Sequence, residues 1–238
     1  MLAALSGDRR LAEFAAAGDL YTALAADAFD HDRARAKLGM LGALYGQTSG
    51  EGGRLAHVLR RRFPDALAAV DAAARAGEEG RLVRSRLGRT CPPPGRSWLS
   101  AVGGEGSPTG EGSPTGEAAP VDDTAGGGDD GDPGAADQAR RAARGRFTRN
   151  FLVQATAAEW ALIWLVGLRR RLRPTEVTGA QLVFFVHDEV VVHCPEAMAD
   201  DVRAAVLAAA DEARQLLFGA TPVRFPLDVA VVRSYADA

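Results

Sequence analysis

"QLVFFVHDEVVVHCP", Gln181 to Pro195, is the stretch on which the fold turns. Two apolar runs, LVFFV and VVV, meet at His187, Asp188 and Glu189. Runs of this length, rich in Val and Phe, predict β-strands buried on both faces. Joining two strands with a two-residue loop takes a turn with φ > 0, which His and Asp tolerate better than most non-glycine residues. The expectation is a hairpin with carboxylates at its tip, where an Asp-Glu pair requires solvent or a cation.

Outward from the hairpin, the pattern changes from period two to helical spacing. "EAMADDVRAAVLAAADEARQLLFG" follows as a helix, and "FPLDVAVVRSY" is predicted to be a last strand. Upstream, "QARRAARGRFTRNFLVQATAAEWALIWLVGLRRRL" is predicted as one long helix, basic at both ends. The first ninety or so residues are helical in pattern: "DRRLAEFAAAG" and "GDLYTALAADAF" have i, i+3, i+4 apolar spacing with Asp near their starts. Two further amphipathic pieces, "GRLAHVLRRRFP" and "DALAAVDAAARAG", lead to "GRLVRSRLGRTCPPP", extended or hairpin-like and stopped by prolines. Helices first, then antiparallel strands interleaved with helices, predict an α+β fold.

The 238 residues suffice for one substantial core or two small ones. The formal net charge is -3, but Gly104 to Asp137 holds nine acidic residues and no basic one. Outside that segment 28 basic residues face 22 acidic ones, a mildly basic balance that suits a polyanionic partner. The acidic segment carries GEGSPT twice and no apolar periodicity, so it is predicted to be a disordered spacer. Cys91 and Cys194 stand apart with no zinc spacing, which fits a reducing cytoplasm. "MLAALSGDRRLAEF" lacks the pattern of a secretory signal, and "AEWALIWLVGL" is expected to be a buried helix, too short to span a bilayer.

Asp32 to Gly46, "DRARAKLGMLGALYG", carries the chemistry. On a helix Arg33, Lys37, Leu41 and Tyr45, spaced by four, share one face. Two cations, an apolar residue and a ring in one line can hold a nucleotide, with the cations on phosphates and the ring against a base. The spacing also fits an ordinary solvated face. Lys37 is the chain's only lysine against 27 arginines, and Lys and Arg are not equivalent at a tight phosphate site. Other groupings point less clearly to a site. His193 and Cys194 alternate on a strand and cannot both converge with His187 and Asp188 on one ion. Trp160 and Trp164 at helical spacing read as core, His31 and His57 as surface residues, and "GQTSGEGG" as the turn closing the Asp32–Gly46 helix.

Together, three blocks resemble the DNA polymerase I family, the A family of DNA polymerases. Arg-x3-Lys-x3-Leu-Gly-x2-Tyr-Gly, Arg33 to Gly46, is similar to its nucleotide-binding fingers helix; "RFTRNFLVQATAAEW" is similar to its third block; and "VHDEVVVH" is similar to its palm hairpin. The Ala- and Arg-rich composition and "GRTCPPP" resemble the actinobacterial branch of bifunctional exonuclease and polymerase proteins. The resemblance implies a mostly helical fingers subdomain and an incomplete antiparallel palm. Residues 1–19 would begin the palm-to-fingers segment, 20–94 form the fingers, 95–139 the acidic insertion and 140–238 the palm.

The resemblance further implies that Arg33 and Lys37 grip the triphosphate, Tyr45 stacks near the templating base, and Leu41, where the family usually has Phe, faces the incoming nucleotide. Arg146, Asn150 and Gln154 would hold primer and template, His187 would contact the primer end, and Asp188 would bind metal with Glu189 in support. The implied reaction is transfer of a nucleotide from a dNTP to a primer 3′-hydroxyl with two Mg2+ ions about 3.5–4 Å apart. It implies a cytoplasmic, monomeric bacterial enzyme of DNA replication or repair that works at the nucleoid. In the family, the first metal-binding Asp opens a block of the type Asp-Tyr-Ser-Gln-Ile-Glu-Leu-Arg followed by "VLAHLSGD", and "MLAALSGD" matches only the latter. The expectation is a misplaced start at Met1 and a 238-residue chain that does not extend a primer. A non-catalytic primer-template and nucleotide-binding protein is the alternative.

Overall fold

Three aspartates start the helices that the sequence places first. Asp8 Oδ1 accepts from Leu11 N at 2.9 Å and its Oδ2 from Ala66 N at 3.1 Å, so one buried carboxylate caps two helices. Asp19 accepts from Tyr21 N and Asp32 from Arg35 N, each satisfying an amide that the first helical turn leaves without a partner. The computed structural model describes residues 1–16, 18–95, 133–173, 179–187 and 189–237. Within them run α1 (Leu2–Ser6), α2 (Arg9–Ala16), α3 (Leu20–Ala28), α4 (Arg33–Tyr45), α5 (Gly50–Arg62), α6 (Pro64–Glu78), α7 (Pro133–Leu172), β1 (Gln181–Val186), β2 (Glu189–His193) and α8 (Ala199–Phe218). The expected α+β class holds, with the helices dominant and one antiparallel pair of strands.

α7 organises the rest. Its 40 residues span roughly 60 Å at the helical rise. Its first half lies against α6 and α4, and its second half against α8. The larger core joins Leu11, Leu24, Phe29, Met40, Leu59, Phe63, Leu67 and Val70 from α2 to α6. The second joins Trp160, Trp164, Leu168 and Leu172 of α7 to Val206, Ala209, Ala213 and Leu217 of α8. The two tryptophans are core residues as expected, stacked with centroids 5.5 Å apart. α7 starts at Pro133, inside the stretch assigned to the insertion; residues 96–132 lie outside the described residues.

α7 corrects one expectation. By length and composition it holds an 18-residue window apolar enough to cross a bilayer. Trp160, Trp164, Leu168 and Leu172 in that region pack against α8, while Leu162 and Val166 are exposed.

The hairpin has the expected two-residue connection, with Val186 paired to Glu189 and His187 at φ 52°. A β-bulge falls between Leu182 and Phe184. Burial on both faces is not found. Leu182, Val190 and Val192 pack on the second core, while Val183 is 54% and Phe184 49% exposed. The strands pair only with each other among the described residues, which leaves both edges of the ribbon unpaired there.

The predicted last strand is also absent. From Thr221 to Ala230 the chain alternates in burial, with Val223, Phe225, Leu227 and Val229 turned inward, yet it joins no ladder. Phe225 instead stacks on Trp160 and Phe218, 5.5 Å from each. Pro222 and Pro226 bring no amide hydrogen to a ladder.

The segment after α6 is hairpin-like, as predicted, with Arg84 bridged to Thr90. α7 holds it. Buried Glu159 accepts from the Ser85 hydroxyl and, at 2.9 Å, from Leu87 N, while Thr156 Oγ1 accepts from Arg86 N at 3.1 Å.

Candidate functional site

α4 is built to show one face. Ala36, Gly39, Met40, Gly42 and Ala43 are buried, and Gly42 lies so close to α5 that a Cβ there would stand 2.7 Å from the Gly52 carbonyl oxygen. The helix ends at Gly46 with φ 71°, a left-handed cap that costs glycine little. Of the four residues predicted to share a face, Arg33, Lys37 and Tyr45 are exposed and Leu41 is half-buried. The expected stripe is therefore present on the solvent side.

Arg33 is held without being consumed. Its Nε donates to Asp19 Oδ2 at 2.7 Å, and its guanidinium lies 5.5 Å from the centre of the Tyr21 ring. Hydrogen bonding from Arg33, then from Thr22, brings the Asp19 carboxyl down from 3.8 to about 2. The outer guanidinium nitrogens stay available, since the side chain is 57% exposed. Lys37 has no hydrogen-bond or ion-pair partner among the described residues.

On α7, Arg146 and Gln154 are exposed and Asn150 is half-buried, and their four-residue spacing sets them along one side of the helix. The two helices meet at the end of α4. Arg149 Nε donates to the Ala43 carbonyl at 2.8 Å, and a Cβ on Gly46 would lie 3.4 Å from Arg149 Cδ and 3.6 Å from Arg146 Cγ. The Tyr45 end of the α4 stripe thus abuts the Arg146 end of the α7 row.

The hairpin packs on the second core, to which Trp160 to Leu172 of α7 and Val202 to Leu217 of α8 both contribute. At its tip His187 and Glu189 are exposed, and Asp188 lies outside the described residues. A hydrogen bond with Glu189 pushes the Tyr235 phenol above its usual range, and the same ring meets Phe184 edge-on with centroids 6.4 Å apart. Among the described residues no group of three or more His, Cys, Asp or Glu converges as a metal cage would. His31 and His57 are exposed, as expected of surface residues. Gly50, Gly52 and Gly53 belong to the first turn of α5, so only the front of "GQTSGEGG" is the turn after α4.

Sequence reasoning passes over Asp19, Tyr21 and Arg149. Asp19 is visible there only as a helix cap. Nothing in the local pattern separates Arg149 from the other arginines of α7, because its burial depends on α4 and α6.

No family model matches the chain. Over 91 residues it is 37% identical to "DNA polymerase I, thermostable" of Thermus filiformis, a match that covers 38% of this chain and 10% of that protein. Its fold matches the solved POL domain of Pol1 from M. smegmatis, in complex with DNA primer-template and dNTP, with a TM-score of 0.63 and 18% identity, over 89% of this chain and 34% of that one. The chain spans about a tenth of the first relative and about a third of the second. In sequence and in fold it resembles part of a family A DNA polymerase.

Proposed function

We propose that the chain is the part of a DNA polymerase I-type enzyme that grips dNTP and primer-template during template-directed nucleotidyl transfer. One observation carries this reading: α4 and α7 present two polar rows, Arg33–Lys37–Tyr45 and Arg146–Asn150–Gln154, that adjoin at Gly46. Lys37 and the free nitrogens of Arg33 take the triphosphate, and Asp19 orients Arg33 beforehand so that less side-chain freedom is lost on binding. Tyr45 stacks near the templating base and Leu41 faces the incoming nucleotide. Arg146, Asn150 and Gln154 hold the primer terminus and template, and His187 contacts the primer end.

Asp188 and Glu189 would hold Mg2+. Carboxylate oxygens are the hard donors this ion takes, and Glu189 is exposed at the tip. When bound, magnesium lowers the pKa of the primer hydroxyl and neutralises charge on the departing pyrophosphate. Two-metal transfer uses carboxylates from more than one position. The resemblance assigns only the hairpin-tip pair to these residues, so the isolated 238-residue chain is expected to bind without extending a primer. The setting we propose is a monomer in the bacterial cytoplasm, acting in replication or repair on the nucleoid.

The test is fluorescence anisotropy with labelled primer-template across a salt series, with and without dNTP, beside a primer-extension assay. Affinity should fall with salt by a log-log slope of about 0.9 per neutralised duplex phosphate, and K37A should lose the response to dNTP while keeping DNA affinity. A flat salt response refutes the DNA-binding reading. Template-directed incorporation by the purified chain refutes its inactivity alone, whereas binding without incorporation matches the non-catalytic alternative for this chain.

A further inference from the structure

We infer that Arg149 is a positioning residue for the nucleotide site, one that acts through the last turn of α4 and touches neither nucleotide nor DNA. The inference rests on the proposed function. A helix leaves its last four carbonyls without amide partners. In α4, Gly42 O is taken by the amides of Gly46 and Gln47. Ala43 O is taken by Arg149 Nε at 2.8 Å, from a helix more than a hundred residues away in sequence. Arg149 therefore caps α4 from outside, and its charge complements the negative end of the helix.

The arginine is itself fixed. It is only 5% exposed, and its Nη1 donates to Asp71 Oδ1 on α6. Asp71 is gripped a second time by Arg60 of α5, whose Nη2 lies 3.0 Å from both carboxylate oxygens. The guanidinium thereby ties the final turn of α4 to α6, and through Asp71 to α5.

A purely structural tie would be expected to satisfy its own donors, yet Arg149 Nη2 is buried with no partner among the described residues. An unmade buried hydrogen bond is destabilising. Stability alone therefore does not account for an arginine here; the shape of the fork does, since its Nε and Nη1 reach Ala43 O and Asp71 together. A lysine ammonium offers no planar fork to reproduce this. The turn so held carries Tyr45, and the residue after Arg149 is Asn150 of the DNA-facing row.

The test uses the full chain with R149M and R149K, reading primer-template affinity without nucleotide, the gain in affinity on adding dNTP, and amide exchange by mass spectrometry. Both variants are expected to lose the dNTP gain, at least tenfold in R149M and less in R149K, with bare DNA affinity within about threefold of wild type. Exchange should quicken at Tyr45 to Gln47 and stay unchanged in α8. If R149M does not fold, R149K is judged on the same readouts. A dNTP gain equal to wild type, or exchange that rises throughout the chain together with loss of bare DNA affinity, overturns the positioning role. A wild-type chain that binds primer-template without any dNTP gain, or binds neither, overturns the proposed nucleotide site and this role with it.

Discussion

Replacing Gly42 with alanine should drive α4 off α5. The new methyl would stand 2.7 Å from the Gly52 carbonyl oxygen and 3.1 Å from its carbon, backbone atoms that cannot rotate away. Overpacking costs about 1–3 kcal/mol, and contact with backbone puts this case near the top of that range. Alanine returns about 1 kcal/mol through helix propensity. The expected net loss of about 2 kcal/mol corresponds to about 4–8 °C in Tm for a domain of roughly 150–250 residues. Gly167 on α7 is the internal control. A Cβ there meets Glu212 Oε2 at 3.2 Å and Arg171 Nη1 at 3.4 Å, the movable ends of long side chains, so G167A should gain up to about 1 kcal/mol from propensity. Guanidinium denaturation followed by helix ellipticity measures both variants. Because Gly42 lies between Leu41 and Ala43, G42A should also weaken the dNTP response. If G42A is as stable as wild type, or the two variants shift alike, the close α4–α5 approach is wrong.

Glu159 and Asp19 give two further tests. E159A strands the Leu87 amide and the Ser85 hydroxyl, at about 1–3 kcal/mol for each unmade bond. Trypsin should then cut faster after Arg84, Arg86 or Arg89, with E159Q intermediate; unchanged cleavage would show that the turn is held by other contacts. Asp19 has a folded value of about 2, below its ordinary 3.8, so its contribution to stability is complete above that ordinary value and fades as pH falls toward 2. D19N should remove this part of the acid dependence, and an acid-unfolding profile identical to wild type between pH 4 and 2 would contradict the Arg33–Asp19 bond.

Features set by near neighbours are legible in the sequence. Asp19 and Asp32 mark helix starts because a cap acts within three residues, and Arg33, Lys37, Leu41 and Tyr45 share a face because helical period alone sets it. The positive φ at His187 follows from a two-residue loop. Features set by distant partners are not legible. Phe225 to Val229 has the alternation of a strand, but its inward residues are spent on the two cores and no neighbouring edge among the described residues pairs with it. Val183 and Phe184 read as buried because apolarity says what a residue prefers and not what lies opposite it. Arg149 and Glu159 escape notice for the same reason, since their partners at Ala43 and Leu87 lie 106 and 72 residues away.

The length of α7 links two parts of the molecule. One uninterrupted rod carries the Arg146–Gln154 row and also part of the core on which the hairpin packs. The Arg146–Gln154 row and the Trp160–Leu172 stretch therefore belong to one continuous element. The Arg33–Tyr45 stripe stands on a separate helix, joined to that rod where Arg149 bonds the Ala43 carbonyl.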